Sequence, residues 1–267
     1  MNKYFIGIDS DGTAFDSMTI KHTKAFIPVF IDVWSYGEYA RQITEICEHI
    51  NLYSKTRGID RFSGLEMTFE EIKKIGIRVP DYSSLTGFLN TGKLSNDTLV
   101  EYLKSNDNAF LKDVLNWSRQ ADELFKKEVK ELRPFKAVKE LLIKCRGIAD
   151  TAVISSASES SLKEDWKKDN LTDYVSVIYG QEFGTKKTQL ENAIKQGYEQ
   201  TLMIGDALGD LKAAQDVGAW FYPIIPGREE ESWRNLCNKY LNMFFKGEFN
   251  EKIQQTLNYE LFEVIGE

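Results

Sequence analysis

The sequence predicts an α/β fold: a parallel sheet core interrupted by a long all-helical insertion. Three observations lead there. Short apolar runs that read as strands alternate with helical patterns over the second half of the chain. One further strand stands alone near the amino end, and the segment between holds long helix-period stretches with hardly any strand signal. Alternating strand and helix implies parallel strands joined by right-handed crossovers. At 267 residues, 42% of them hydrophobic, the chain can bury a full core.

The elements follow in order. Tyr4 to Ile8 is an apolar run ending at the acidic stretch Asp9-Ser10-Asp11-Gly12-Thr13. Ser17 to Trp34, Glu38 to Tyr53, Ser95 to Lys104 and Phe110 to Lys130 each place apolar residues at helical spacing and read as amphipathic helices. Arg133-Pro134-Phe135 marks the return to the α/β pattern, since proline suits the first turn of a new helix. Then come a helix over Val138 to Cys145, a strand over Thr151 to Ile154, a helix over Ser160 to Lys168 and a strand over Val175 to Tyr179. A helix over Thr188 to Gln196, a strand over Thr201 to Ile204 and a helix over Leu211 to Val217 follow, the last closed by Gly218 in a helix-stop position. Ala219 to Ile225 is the final strand. From Gly227 onward, Trp233, Leu236, Tyr240 and Phe244, then Phe249, Ile253, Leu257 and Leu261, again keep helical spacing. Glu229, Glu230 and Glu231 suit the acidic first turn of that tail, where they complement the helix dipole.

Charge and cysteine usage narrow the partners. Lys and Arg total 34 against 41 Asp and Glu, a net charge of -7, which argues against a sequence-independent nucleic-acid binder because phosphate backbones need a clustered basic surface. A small anionic substrate needs only a few local cations and stays open. Cys47, Cys145 and Cys237 are widely spaced and form no CxxC pair, so they read as ordinary thiols of a reducing cytoplasm rather than a disulfide framework or zinc site. The first strand begins within a few residues of Met1, which leaves no room for a secretion signal. The apolar run from Ala25 to Trp34 is broken by Pro28 and Asp32, so no bilayer-spanning stretch is seen. The expectation is a soluble cytoplasmic protein with neither nucleic acid nor membrane as partner.

The chemistry lies in two acidic clusters, Asp9-Ser10-Asp11-Gly12-Thr13 and Gly205-Asp206-Ala207-Leu208-Gly209-Asp210, each following a strand. In an open parallel sheet, ligands bind beyond the carboxyl ends of the strands, and Asp9, Ser155 and Asp206 each stand just past such an end. Asp9, Asp11, Asp206 and Asp210 gathered in one crevice repel one another unless a cation sits between them, which predicts a divalent metal and phosphate chemistry. Asp9 is placed to attack phosphorus in line and form an aspartyl phosphate. Asp11 is placed to protonate the departing alkoxide and later to deprotonate the hydrolytic water. Mg2+ held by Asp9 and Asp206 would offset the repulsion between Asp9 and the incoming dianion.

This arrangement resembles the haloacid dehalogenase superfamily of aspartate-nucleophile phosphatases. Its first motif, a hydrophobic strand followed by D-x-D-G-T, is matched by Phe5-Ile6-Gly7-Ile8-Asp9-Ser10-Asp11-Gly12-Thr13. Its second, a phosphate-binding serine or threonine at a strand end, is matched by Ala152-Val153-Ile154-Ser155. Its third, a lysine that stabilises charge on the transferring group, is matched by Lys186 or Lys187, and its fourth, G-D-x-x-x-D, by Gly205-Asp206 and Asp210. The resemblance implies that Asp206 is a metal ligand, that Asp11 adds its backbone carbonyl to the metal, and that Asp210 braces the ligands from behind. Ser10 stands where the family usually has a bulky apolar residue, Ala14 where a larger aliphatic is common, and Ser156 where many relatives place asparagine; these departures bear on substrate fit. Dehalogenating members lack an acid equivalent to Asp11, so its presence favours phosphoryl transfer.

By the same resemblance the fold is a Rossmann-like parallel sheet core, residues 1–16 and 133–267, with 227–267 a helical C-terminal extension, and an inserted helical cap, residues 17–132, of type 1 as in phosphoglycolate phosphatases and β-phosphoglucomutases. The extension is expected to pack on the core or on a second subunit, as in a homodimer. Substrate selection is expected in the cap. Lys55, Arg57 and Arg61 surround Gly58 and either grip a carboxylate or second phosphate on the leaving group or belong to a solvated loop. Lys21 and His22 either face the same cavity or lie on a helix surface, and His49 reads as structural. The function implied is Mg2+-dependent hydrolysis of a small phosphorylated metabolite, with a phosphosugar mutase or a catalytically silent phosphate sensor as alternatives.

Overall fold

The computed structural model describes residues 2–128 and 132–266. They divide into two compact units: the described residues of Met1–Ser17 with Leu132–Glu267, and those of Met18–Glu131.

The first unit begins with β1 (Tyr4–Ile8), which leads to α1 (Ser17–Ile20), where the chain passes into the second unit. There a π-helical turn, Lys21–Phe26, joins α1 to α2 (Ile27–Val33), so the expected first helix is present with a widened turn. The widening directly precedes Pro28, which has no N–H to donate and whose ring crowds the carbonyl four residues back. The unit continues through α3 (Ala40–Leu52), α4 (Arg61–Lys74), α5 (Ser83–Leu89), α6 (Asn96–Ser105) and α7 (Ala109–Glu128). Residues 129 and 130 of the helix expected to end at Lys130 lie outside the described residues. Phe26, Phe30, Trp34, Phe69, Phe110 and Trp117 pack as an aromatic core, and Trp117 Nε1 donates to the Phe26 carbonyl at 3.1 Å.

Two of these helices, α4 and α5, stand where no helix was expected. Asp60 starts α4, accepting from the N–H groups of Phe62 and Ser63 at 3.0 Å each, so an N-cap overrides a weak apolar pattern.

Back in the first unit the order is α8 (Lys136–Cys145), β2 (Ala149–Ile154), α9 (Glu159–Trp166), β3 (Val177–Tyr179), α10 (Lys186–Ile194), β4 (Gln200–Gly205), α11 (Leu208–Asp216) and β5 (Trp220–Pro223). Among the described residues the sheet has five strands in the order β3-β2-β1-β4-β5, all parallel. Each expected strand is present. Pro134 differs from expectation: α8 starts at Lys136, and Pro134 instead forms a bridge with Phe15, placing the two chain crossings side by side.

The extension forms α12 (Glu229–Asn235), a π turn at Leu236–Tyr240, α13 (Leu241–Phe245) and α14 (Glu251–Ile265). Its Leu261 and Ile265 are buried in one cluster with Phe5 and Phe221 of the sheet. The three glutamates open α12 as expected, and Cys47, Cys145 and Cys237 are free, buried thiols. Among the described residues no helix is long and apolar enough to cross a membrane.

Candidate active site

The site grows from strand register. Ile8 of β1 pairs with Val153 of β2 and Ile204 of β4, and the Asp9 N–H donates to the Ile204 carbonyl at 2.9 Å. The residues just past these strands, Asp9, Ser155 and Asp206, therefore emerge at the same edge of the sheet. Carboxylate oxygens of Asp9, Asp206 and Asp210, all three buried, lie within 4.8 Å of one another.

Asp210 reaches this group from the first turn of α11, its Oδ2 accepting from the N–H groups of Asp206 and Ala207 at 3.2 Å each. Gly205 makes that approach possible, because a Cβ there would collide with the Asp210 Cβ and carboxyl. Thr13 closes the opposite side: its hydroxyl donates to Asp206 Oδ1 at 2.7 Å and reaches Asp9 Oδ2 at 3.4 Å. The turn that brings Thr13 there runs through Gly12 at φ 77°, a left-handed conformation suited to glycine.

A cation crosses the group. Lys186 Nζ lies 2.9 Å from Asp9 Oδ1 and 2.6 Å from Asp210 Oδ1. Thr185 caps α10 by accepting from the Thr188 N–H at 3.2 Å, which fixes the helix phase and turns Lys186 inward. Lys187 points elsewhere, half-exposed and 3.9 Å from Glu191.

Burial, joined by repulsion from Asp210 and Asp206, pushes the Asp9 carboxyl well above its ordinary range against the pull of Lys186. Burial likewise raises Asp210, opposed by Lys186. For Lys186 burial works downward, but the two carboxylates outweigh it and hold the ammonium above its usual value. Two buried carboxylates whose charge is disfavoured, beside a third, form a hard oxygen donor set that suits Mg2+.

Asp11 is not part of the three-carboxylate group; its Oδ1 accepts from the Ser17 hydroxyl. Ser155 is buried, and its hydroxyl accepts from the Ala157 N–H at 3.2 Å. Beneath it Gln189 is fully buried, with Nε2 2.9 Å from the Ser155 carbonyl and 3.0 Å from those of Gly180 and Gly184. Sequence reasoning did not single out Thr13 or Gln189 as site residues; the first was visible inside its motif, the second carried no signal.

In the helical unit the expected cations are arranged differently. Arg57 is buried and donates to the Leu52 carbonyl at 2.9 Å. Arg61 is the first residue of α4, donating to Ser118 Oγ at 2.8 Å and Asp122 Oδ1 at 2.7 Å while its guanidinium covers the Phe26 ring. Lys21 Nζ lies 5.5 Å from the centre of that ring. Lys55 is exposed. The solvated-loop reading thus fails for Arg57 and Arg61, and the helix-surface reading fails for His22, which is buried against Phe26. Burial first, then Lys21, Arg57 and Arg61, push its imidazole from 6.5 down to about 3. His22, Asn51, Arg61 and Thr68 line a cavity of about 20 Å³, room for about one water. His49 lies exposed on α3.

Among solved structures, a candidate haloacid dehalogenase-like hydrolase from Bacteroides fragilis is 15% identical, with 87% of this chain and 93% of that one covered at a TM-score of 0.50. A haloacid dehalogenase-like family protein from Streptococcus pneumoniae is 15% identical over 91% of this chain and 98% of that one, TM-score 0.48. A candidate β-phosphoglucomutase from Thermotoga maritima is 16% identical over 84% and 85%, TM-score 0.47. At 15% identity the first of these likenesses is one of fold alone. No curated protein matches the sequence. The family described as haloacid dehalogenase-like hydrolase matches residues 81–223, more than half of the chain, and with the parallel sheet and its acidic edge now described, the chain belongs to that family.

Proposed function

We propose that this chain is a Mg2+-dependent phosphatase that hydrolyses a small phosphorylated metabolite through an aspartyl-phosphate intermediate at Asp9. The observation that carries the reading is the buried Asp9, Asp206 and Asp210 group crossed by Lys186 at the carboxyl edge of the sheet. Asp9 is locked at its N–H to β4, so its carboxylate is presented at a fixed place. It attacks phosphorus in line; the phosphorus–oxygen bond to the leaving group breaks, and Asp11 gives its proton to the departing alkoxide. Asp11, now a carboxylate oriented by Ser17, takes a proton from water, which attacks phosphorus and returns Asp9 with release of phosphate. Lys186 pulls Asp9 toward its ionised form before the attack and holds its own charge beside the transferring group. Mg2+, when bound, neutralises the carboxylates and the incoming dianion together. The Ser155 hydroxyl, whose oxygen accepts from the Ala157 N–H, keeps its own proton to donate to a phosphate oxygen. Free, buried thiols support a place in the reducing cytoplasm.

The test is phosphate release from a panel of sugar phosphates, phosphoglycolate, nucleotides and amino-acid phosphates, with Mg2+ and with chelator. Release is expected to require Mg2+ and to vanish in Asp9→Asn, which keeps the fold. Activity retained in Asp9→Asn overturns the mechanism, and conversion of glucose 1-phosphate to its isomer without phosphate release would place the chain with the mutases.

A further inference from the structure

A side chain of the C-terminal extension reaches the site. Trp233, in α12, is fully buried, and its indole Nε1 donates to the Thr13 carbonyl at 2.8 Å across 220 residues of sequence. Thr13 is itself fully buried and donates from its hydroxyl to Asp206 Oδ1. The indole thus fixes the main chain of the residue whose side chain orients Asp206. The tryptophan is in turn held in place: Ser232 beside it accepts at Oγ from the Ile225 N–H at 3.0 Å and at its carbonyl from the Tyr222 hydroxyl at 2.8 Å, tying α12 to the end of β5. Packing alone does not require this geometry, because a phenylalanine ring would fill most of the same space without a donor.

We propose that Trp233 is a positioning residue for the metal site, acting through Thr13 on Asp206; the proposal rests on the reading of Asp206 as a Mg2+ ligand. Hydrogen bonds behind a ligand set its orientation, and losing one typically weakens metal affinity 10–100-fold. The relay also gives the extension a role in the chemistry beyond covering the sheet.

The experiment is Mg2+ titration of the purified full chain by calorimetry, which reads binding without turnover. Trp233→Phe keeps the ring and deletes the donor, and is expected to weaken Mg2+ binding by about tenfold. Thr13→Val should weaken it at least as much, and the double variant no more than Thr13→Val alone, because both lie on one relay. Leu261→Ala, a buried position of α14 away from the loop, serves as the stability control: it is expected to lower the melting temperature while leaving Mg2+ affinity unchanged. Wild-type affinity in Trp233→Phe, additive losses in the double variant, or an equal loss in Leu261→Ala overturns the relay. A wild-type protein that takes up no Mg2+ instead overturns the proposed function and the relay together, so the two failures are distinct.

Discussion

Lys186 Nζ stands 2.9 Å from Asp9 Oδ1 while also touching Asp210, so one ammonium compensates two buried carboxylates, one just past β1 and one in α11. Removing one partner of such a group leaves charge buried without compensation, at a cost of about 3–5 kcal/mol. Lys186→Met should therefore lower unfolding stability by roughly that amount in metal-free protein, whereas Lys187→Met, at an exposed site, should stay within about 0.5 kcal/mol. Mg2+ should stabilise Lys186→Met more than wild type, since it replaces the lost positive charge. Urea unfolding with and without Mg2+ measures both, and equal costs for the two lysines would refute the assignment.

Gly205 and Gly209 share a motif but not a constraint. A methyl group at Gly205 meets Asp210, while at Gly209, inside α11, it meets nothing within 4 Å. Gly205→Ala should cost about 1–3 kcal/mol by overpacking and should abolish phosphate release by displacing Asp210 from Lys186. Gly209→Ala should instead raise stability by about 0.5 kcal/mol, because alanine is the better helix former. Thermal melts of the two variants should move in opposite directions.

The strands could be read from the sequence because β1 and β4 are buried on both faces and so appear as continuous apolar runs, with the chemistry just past their ends. Spacing before Leu190 favours Lys186 over Lys187 but leaves both open, because adjacent residues on a helix point about 100° apart and the Thr185 cap fixes which one faces the sheet. Ser10, an odd substitution for a bulky apolar residue, makes sense only in three dimensions: it accepts from the Trp166 indole at 3.0 Å, 156 residues away. Such long-range pairs, like Trp233 with Thr13, leave no periodic trace. The helix α4 leaves little periodic trace because Gly64 and scattered polar residues blur its apolar face, and it is the Asp60 cap that starts it.

Arg61 and Lys55, grouped by sequence as cations around Gly58, should separate on mutation. Arg61 pairs with Asp122 at 2.7 Å and lies over Phe26 at 4.7 Å, whereas Lys55 is exposed. With both ion-pair partners a quarter or more exposed, solvent screening limits the pair, and Arg61→Ala should cost about 1–2 kcal/mol from ion pair and ring contact together. Lys55→Ala should be neutral in stability. If either cation selects substrate, its alanine variant will shift preference across the phosphomonoester panel without loss of basal hydrolysis. Equal melting temperatures for the two variants would show that the Asp122 contact contributes nothing.

His22 should make the helical unit sensitive to acid. Its imidazole is neutral when folded, with a value near 3 set by burial and by Lys21, Arg57 and Arg61, against 6.5 when unfolded. Below pH 6.5 the unfolded chain gains a proton that the folded chain does not, so stability is complete above that point and falls as pH drops toward 3. The slope is at most about 1.4 kcal/mol per pH unit, or roughly 2 kcal/mol between pH 6.5 and 5, above most carboxylate titration. His22→Gln removes the titrating group while keeping polar atoms at the small cavity. Its stability at pH 7 is therefore expected to be lower than or near wild type, with the difference moving in its favour by about that amount at pH 5. Denaturant unfolding at the two pH values checks this, and parallel pH profiles for the two proteins would show that the histidine is protonated equally in both states.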